Sequence, residues 1–530
     1  MPRPTTRPSR GTRLLAVTAI ATLGAAALGA CDSTAGPRSE ETRHVVSRGP
    51  QPVPSPGPDD AISLTDPLSP QDVQTPRRPN LLMVTVDDAA FGDMRFMPHL
   101  QRLMVDQGVT LTNGIAPTPI CVPARASLIS GQYAHNHGAL TIDGAGGGFK
   151  AFEDSRTLPV WLRRSGYDTM FVGKYLNGYG KNGSNRYVPP GWTDWRATVD
   201  PTTYNFVRPT INNNGTNVSH REYSTKLFSD LTHNLLSAPR RTKHPWYLWV
   251  NYVAPHVGGP AAADDPLNTH PGDRRPIKTT TPAKRDENTF RKLRLPRKPD
   301  MFENADDKAI IRATHRTWSP SRRQQLREAR QQRVEALQAV DRALARTVTT
   351  LRRTHQLDNT YIVLTSDNGY VLGEHNLQGK LWYFREIENI PMYVRGPGLP
   401  RGVKSSTPVT NADWAPTFAA LAGATPTRPM DGLDVIPWLR TGATTRVVPI
   451  EAYPVDGGRE RIYSGVIVGP WTYVINRGGR EELYYRKVDP WQINNLRRDA
   501  RFRSQLKELR QLNVQYADCA ASTCPGEFYR

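Results

Sequence analysis

The fold of this chain is decided by two stretches of its sequence, LLMVTVDD (81–88) and YIVLTSDNG (361–369). Each is a short apolar run that stops abruptly at acidic or amide residues. Such a run predicts a strand buried on both faces, as in a parallel sheet covered by helices. The pattern recurs at TMFVGK (169–174) and at WYLWV (246–250), which leads into Pro255-His256.

A helical pattern lies between the strands predicted at 246–250 and 361–365, the third and the fourth in chain order. Strands that alternate with helical segments predict an α/β fold, with a large, mainly parallel or mixed sheet between layers of helices. In such sheets the site lies beyond the carboxyl ends of the strands. The helical pattern consists of apolar residues three or four positions apart, namely Leu337, Val340, Leu344, Val348 and Leu351.

The polar residues at two of these strand ends predict a metal site. Asp87, Asp88, Asp367 and Asn368 supply three carboxylates and one amide oxygen. Oxygen ligands of this kind suit Ca²⁺ or Mg²⁺ and are ill suited to zinc. A single Asp-Asp pair more often caps a helix or binds water, so the prediction depends on the two pairs occurring together.

The segment CVPARASLISG (121–131) predicts a short helix that begins at Cys121, because Pro follows just inside and Gly just after it. A helix N-terminus favours anions, and Arg125 lies one turn further along the same face. A cysteine in such a place is a candidate reactive group. The alternative is a buried, inert thiol.

The motif from Cys121 to Gly131 resembles that of the formylglycine-dependent sulfatases, within the alkaline phosphatase superfamily. Both acidic pairs match that family's calcium ligands, and Ala254-Pro255-His256 and Gly379-Lys380 match further site segments. The segments GKYLNGYG (173–180) and TSDNGY (365–370) are similar to the N-acetylglucosamine-6-sulfatase and arylsulfatase branch. The likeness extends over residues 77–530, with the motifs in order.

The resemblance implies an alkaline phosphatase-like fold and hydrolysis of sulfate esters, of an aryl sulfate or a sulfated sugar such as glucosamine 6-sulfate. A formylglycine-generating enzyme would oxidise Cys121, and the hydrated aldehyde would attack sulfur. Carried over position by position, the implied ligands of Ca²⁺, or of Mg²⁺ in its place, are Asp87, Asp88, Asp367, Asn368 and residue 121.

The resemblance also assigns roles around the sulfate group. Arg125 would stabilise the diol form of residue 121, and Lys174 and Lys380 would hold sulfate oxygens. His256 would contact the sulfate or protonate the leaving oxygen. Asn177 would bind substrate, but an amide cannot shuttle a proton, so the leaving-group acid stays open. Structural or rim positions are expected for His135, His137 and His375.

The amino terminus predicts export. Residues 1–30 combine a basic start with a short apolar run and end next to Cys31, which resembles a bacterial lipoprotein processing box. Lipid on Cys31 would anchor the protein at the outer face of the cytoplasmic membrane; the alternative is cleavage and secretion. The Pro-rich segment 31–76 is expected to be an extended, disordered tether.

The remaining chain divides into two parts by sequence pattern. Residues 77–445 are expected to form the catalytic domain. Residues 446–530 carry short β-rich runs with tight turns and then a helical stretch, which predicts a smaller antiparallel sheet plus helix. Cys519 and Cys524 are close in sequence in an exported chain, so we expect a local disulfide.

The charge is strongly positive, with 69 Lys+Arg against 49 Asp+Glu and a net charge of +20. This favours a polyanionic partner. The basic stretch 270–335 is expected to be a solvated face; it could instead border the cleft and attract a sulfated polysaccharide.

Two alternative functions remain, a phosphodiesterase or phosphonate monoester hydrolase of the same superfamily and a non-catalytic binder of anionic glycans. Nucleic acid is not an expected partner, because no reading module is present.

Overall fold

The computed structural model describes residues 78–181, 183–267, 276–308, 318–441 and 445–527. The predicted signal peptide, the tether and Cys31 lie outside the described residues. Among the helices that are described, none has the length and apolar character needed to cross a membrane.

Strands and helices alternate along the described chain. The strands are β1 (Asn80–Val86), β2 (Val109–Leu111), β3 (Gly114–Ile115), β4 (Asp168–Gly173), β5 (Asp194–Thr198), β6 (Thr210–Asn213), β7 (Thr216–Ser219), β8 (Trp246–Asn251), β9 (Thr360–Ser366), β10 (Val371–Leu372), β11 (Gln378–Gly379), β12 (Met392–Arg395), β13 (Val403–Ser405), β14 (Val409–Thr410), β15 (Val447–Ala452), β16 (Tyr463–Val468), β17 (Trp471–Asn476) and β18 (Glu481–Tyr485). The α-helices are α1 (Pro98–Leu100), α2 (Cys121–Ser130), α3 (Ala134–His137), α4 (Leu158–Arg164), α5 (Ser224–Ser237), α6 (Pro320–Arg353), α7 (Arg385–Glu388), α8 (Trp414–Ala422), α9 (Ile436–Thr441) and α10 (Arg503–Tyr516).

Ten strands form one mixed sheet, in the order β13-β2-β12-β9-β1-β8-β4-β5-β6-β7. The predicted strands are its centre: β1 pairs in parallel with both β8 and β9, and β4 pairs in parallel with β8. Leu82 lies opposite Leu248 on one side and Ile362 on the other. The predicted α/β class is therefore confirmed, and the carboxyl ends of four parallel strands share one edge.

Helices cover both faces of the sheet, which explains why the central strands are apolar throughout. Successive side chains of a strand point to opposite faces. Leu81 and Met83 pack in the core that contains residues of α4 and α8, whereas Leu82 and Val84 pack in the core that contains residues of α5 and α6.

The predicted C-terminal sheet is present as β15-β16-β17-β18, antiparallel throughout. Leu506 and Leu509 of α10 pack against one face. The other face packs against Tyr383 and Phe384, so the small sheet shares a core with the larger body. A disulfide joins Cys519 to Cys524.

Candidate active site

The two acidic pairs meet because β1 and β9 are parallel neighbours that end at the same level. The Asp88 backbone N–H donates to Asp367 Oδ1 at 3.0 Å, and Asn368 Nδ2 donates to Asp88 Oδ1 at 2.8 Å. Asp87, Asp88, Asp367 and Asn368 are at most 1% exposed. The chain turns sharply at Asp88, where φ is 67°.

Cys121 is the first residue of α2, and the whole of that helix is buried. Its Sγ lies 3.7 Å from Asp87 Oδ1 and 2.7 Å from Lys380 Nζ. Burial raises the pKa of the Cys121 thiol to about 12, although Lys174 and Lys380 act in the opposite direction. The thiol therefore sits among the carboxylates and ammonium groups that the two strand ends and Lys380 supply.

Arg125 is held rigidly one turn along α2. Its Nε donates to Asp367 Oδ2 at 2.8 Å, and its Nη1 donates to Asn251 Oδ1 at 2.9 Å and to the Lys174 carbonyl at 3.0 Å. Burial raises the pKa of Asp367, but the charges of Arg125, Lys174 and Lys380 together outweigh it and bring that pKa to about 2. Asn251, the last residue of β8, was missed by the sequence analysis, although it ends a predicted strand as the acidic residues do.

Two lysines reach the carboxylates from different segments. Lys174 Nζ donates to Asp87 Oδ2 at 2.6 Å, and Lys380 Nζ donates to Asp88 Oδ1. Lys174 follows Gly173, whose φ is +104° and where a Cβ would stand 2.0 Å from the Asn251 carbonyl oxygen. Only glycine permits this close approach of two strand ends.

His256 forms a wall of the site together with Tyr204. His256 Nε2 lies 3.6 Å from Asp88 Oδ2, and its ring stacks on Tyr204 with centroids 4.5 Å apart. Burial lowers the pKa of His256. Asn177 Nδ2 donates to the Tyr204 hydroxyl at 2.9 Å, and Lys174 Nζ lies 4.9 Å from the centre of the same ring. Tyr204 lies in a loop without any motif, so no sequence signal identified it.

Arg333 is an exception within the basic stretch 270–335, where Lys284, Arg285, Arg291 and Lys292 are exposed as expected. Its side chain is 2% exposed, because α6 carries it under the site. It donates to the Pro255 carbonyl at 3.1 Å and to the Asp88 carbonyl, and it covers the Tyr370 ring at 4.6 Å. Arg333 thus connects the Asp88 turn to the segment that carries His256. The sequence did not indicate this role, because Arg333 is one of many arginines in the basic stretch.

The donor set at the strand ends fits a hard divalent cation. Asp88 Oδ2 and Asn368 Oδ1 are buried and have no hydrogen-bond partner. One ligand atom from each of Asp87, Asp88, Cys121 and His256 lies within 4.8 Å of the others. Buried unpaired oxygens are costly unless a cation or donor satisfies them.

The three histidines expected at structural or rim positions, His135, His137 and His375, make contacts in the protein interior. His135 Nδ1 lies 2.8 Å from Glu451 Oε1, and His137 Nε2 lies 3.3 Å from Ser127 Oγ. His375 Nδ1 lies 2.7 Å from Glu303 Oε1. These contacts support the structural interpretation of His135 and His137, whereas His375 is buried with its Nε2 free of any hydrogen bond.

Two clefts meet at the Tyr204 wall. One has a volume of about 1100 Å³ and is lined in part by His256, Arg208 and Lys278. The other has a volume of about 340 Å³ and is lined in part by Asn177, Lys150 and Lys181. Tyr204 lines both clefts, and the ammonium of Lys174 lies 4.9 Å from the centre of its ring.

The mixed sheet with helices on both faces, and with its polar residues gathered at the ends of parallel strands, defines an alkaline phosphatase-like α/β protein. Residues 79–424 match the family model described as Sulfatase. The chain therefore belongs to the sulfatase family.

Relatives and solved structures agree with this membership. The chain is 32% identical over 378 residues to the extracellular sulfatase SULF-1 homolog of Drosophila melanogaster, covering 68% of this chain and 31% of that protein. It is 30% identical over 380 residues to human N-acetylglucosamine-6-sulfatase, covering 69% and 65%. The chain thus spans less than two thirds of the length of either relative. The structure of BT4656 in complex with its substrate D-glucosamine-2-N,6-O-disulfate matches the fold with a TM-score of 0.68 at 20% identity, covering 83% of this chain and 97% of that one.

Proposed function

We propose that this protein is a sulfuric ester hydrolase that releases inorganic sulfate. The observation that carries the proposal is the position of Cys121, which opens a Cys-x-Pro-x-Arg helix 3.7 Å from Asp87 and 2.7 Å from Lys380. Membership in the sulfatase family supports it.

Cys121 is the residue that a formylglycine-generating enzyme oxidises. One hydroxyl of the hydrated aldehyde would attack sulfur and displace the ester alcohol, which leaves the sulfate bound to the diol carbon. The second hydroxyl would then lose its proton, the aldehyde would reform and the carbon–oxygen bond to sulfate would break. Plain Ser or Cys cannot carry out this last step. The hydrogen bonds of Arg125 to Asp367 and Asn251 keep residue 121 and the carboxylates in register.

Ca²⁺, with Mg²⁺ as the other candidate, supplies positive charge that acidifies a hydroxyl close to it. Asp87, Asp88, Asp367 and Asn368 hold the ion together with residue 121. The orphaned oxygens of Asp88 and Asn368 support this assignment. Lys174 and Lys380 now donate to Asp87 and Asp88, and with an ion on those carboxylates both ammonium groups would be available to a sulfate.

Lys174 and Lys380 then hold sulfate oxygens, and fixed cations are worth most where water is excluded. Lys174 is 1% exposed. His256 Nδ1 donates to the Val257 carbonyl at 2.7 Å, which turns Nε2 toward Asp88 and the reacting group. We assign His256 the contact with the sulfate ester beside Asp88. The leaving-group acid stays open, since Asn177 offers only a hydrogen bond.

The substrate is an aryl sulfate or a sulfated sugar such as glucosamine 6-sulfate. The cleft of about 1100 Å³ beside His256 has room for a sugar. One relative is named an N-acetylglucosamine-6-sulfatase, which supports a sulfated sugar as the substrate. Another is named an extracellular sulfatase, which supports a location outside the cytoplasm. We propose export and lipid anchoring through Cys31.

Mass spectrometry of the peptide that contains residue 121, from protein made in its own host, tests the mechanism. We expect the mass of the aldehyde in place of the thiol, and sulfate release from an aryl sulfate that Cys121→Ala abolishes. An unmodified thiol in active protein would falsify the formylglycine mechanism. Faster turnover of phosphodiesters than of sulfate esters would move the assignment to the phosphodiesterase rival.

A further inference from the structure

A second buried cluster of ligand-type side chains lies apart from the carboxylates of the candidate active site. It consists of Asp300, His375 in the connection between β10 and β11, and Glu386 in α7. Asp300 and His375 are 0% exposed, and the Glu386 side chain is 9% exposed. One ligand atom from each of the three lies within 4.8 Å of the others.

The atoms that face one another in this cluster have no hydrogen-bond partner. This holds for both carboxylate oxygens of Asp300, for His375 Nε2 and for Glu386 Oε2. His375 Nε2 and Glu386 Oε2 lie 3.5 Å apart without forming a hydrogen bond. A fully buried carboxylate with neither oxygen satisfied is strongly unfavourable unless a cation balances it.

His375 is oriented as a metal-binding histidine is. Its Nδ1 lies 2.7 Å from Glu303 Oε1, and its ring stacks on Phe384 with centroids 3.8 Å apart. An outer carboxylate at Nδ1 holds the proton on that nitrogen and directs the lone pair of Nε2 to the ion. Here Nε2 faces the oxygens of Asp300 and Glu386.

The cations nearest to the cluster pair with carboxylates other than Asp300. Lys298 Nζ lies 3.4 Å from Glu374 and 3.6 Å from Glu386, and Lys308 Nζ lies 3.4 Å from Glu303 and 3.1 Å from Asp307. Among the described ion pairs, neither ammonium group is paired with Asp300. A divalent ion would supply the positive charge that the buried Asp300 carboxylate lacks.

We propose that Asp300, His375 and Glu386 bind Zn²⁺ at a site separate from the calcium site. One imidazole nitrogen with two carboxylate oxygens suits a borderline transition ion better than Ca²⁺. A cavity of about 350 Å³, lined in part by Lys298, Glu374 and Glu386, gives the ion a path from solvent. The ion would tie the connection that leads to Lys380 onto Asp300 and α7.

Zinc binding to the full chain tests the site, with Ca²⁺ in excess so that the Asp87 site is filled. Isothermal titration with ZnCl₂ and elemental analysis after dialysis should find about one Zn²⁺ per chain. Asp300→Asn and His375→Gln should abolish it, and Glu303→Gln should weaken it about 10- to 100-fold. His135→Gln is the matched control, because His135 has the same bond to a carboxylate in a different place.

Zinc absent from the calcium-saturated protein overturns the proposal, and so does zinc retained by both ligand variants. If those variants do not fold, X-ray absorption at the zinc edge decides, measured on protein made without a formylglycine-generating enzyme so that residue 121 keeps its sulfur. One nitrogen with oxygen neighbours and no sulfur supports the site, whereas a sulfur neighbour places the ion at Cys121 and overturns it.

Discussion

Two buried arginines, Arg125 and Arg333, hold the carboxylates and carbonyls of the candidate site in place. Arg125 pairs with Asp367, whereas Arg333 donates only to the backbone oxygens of Asp88 and Pro255. The Asp88 backbone is in the left-handed region, which L side chains rarely adopt. Arg333 therefore stabilises the conformation that directs the Asp88 carboxylate toward the site.

Arg333→Met should raise the dissociation constant for Ca²⁺ about 10- to 100-fold, because the Asp88 turn and the His256 segment lose their shared donor. Calorimetric titration with Ca²⁺ measures it. Arg330→Met is the control: Arg330 is also buried in α6, but it pairs with Asp93 at 3.6 Å. Equal weakening in both variants would contradict the positioning role.

The ends of strands β4 and β8 approach each other so closely that one position between them must be glycine. A Cβ on Gly173 would stand 2.0 Å from the Asn251 carbonyl oxygen, and the next residue is Lys174. The positions of Asn251 and Lys174, which both contact Arg125, thus depend on this single contact.

Gly173→Ala should destabilise the protein by clearly more than the about 1–2 kcal/mol that a left-handed backbone costs any L residue. It should also lower the turnover of an aryl sulfate. Gly183→Ala is the matched control, since Gly183 has φ +85° but open space around it. Urea unfolding of both variants gives the comparison, and equal losses would refute the steric argument.

Glu451 in β15 links the C-terminal sheet to the body. It accepts from His135 Nδ1 at 2.8 Å and from Arg461 Nε at 2.7 Å. Burial raises the pKa of Glu451, but the hydrogen bond and charge of His135, with the charge of Arg461, outweigh it and bring that pKa to about 2. A carboxylate with a lowered folded pKa stabilises the protein above its unfolded pKa.

Because of this shift, the contribution of Glu451 should be lost as the pH falls from about 4.5 toward 2. Glu451→Gln should lower stability at neutral pH and flatten the acid part of the curve of unfolding free energy against pH. Glu508→Gln, at an exposed position of α10, serves as the control. An unchanged acid slope in Glu451→Gln would rule the linkage out.

Over the whole molecule, the net charge of +20 lies mostly outside the two clefts that Tyr204 lines. Their linings carry four exposed cations, namely Lys150, Lys181, Arg208 and Lys278, and three carboxylates that offset part of this charge, namely Asp143, Asp200 and Asp265. Fields of this kind attract an extended polyanion more strongly than a singly charged ester.

Raising the salt concentration until the Debye length falls from about 30 Å to about 3 Å should sharply reduce kcat/KM for a sulfated polysaccharide. The same change should affect a small aryl sulfate far less, because its single charge contacts the buried lysines. Initial rates across a NaCl series measure both substrates. Parallel losses would show that the clefts do not bind the polymer.

The buried strands and the short helix were predictable because their signals are local. Each signal specifies the structure of its own short segment. The apolar runs at 81–86 and 361–365 specify strands, and the Pro and Gly near the ends of α2 specify where that helix begins and ends. Asn251 ends a predicted strand and could have been found from that position. Tyr204 and Arg333 were not predictable, because each gains its role from contacts with residues distant in the chain. Arg333 lies 245 positions from Asp88, whose carbonyl it binds.

The sequence by itself determined the α/β class, the oxygen ligands at the strand ends and the candidate nucleophile on its helix, because periodicity, caps and side-chain chemistry are properties of neighbouring residues. Only the tertiary structure decided which charges pair. Parallel pairing of β1 with β9 joins the two acidic pairs, and the packing of α6 buries Arg333 beneath Asp88. Distances between distant segments set these interactions, since desolvation and Coulomb energy depend on burial and separation in space rather than on order in the chain.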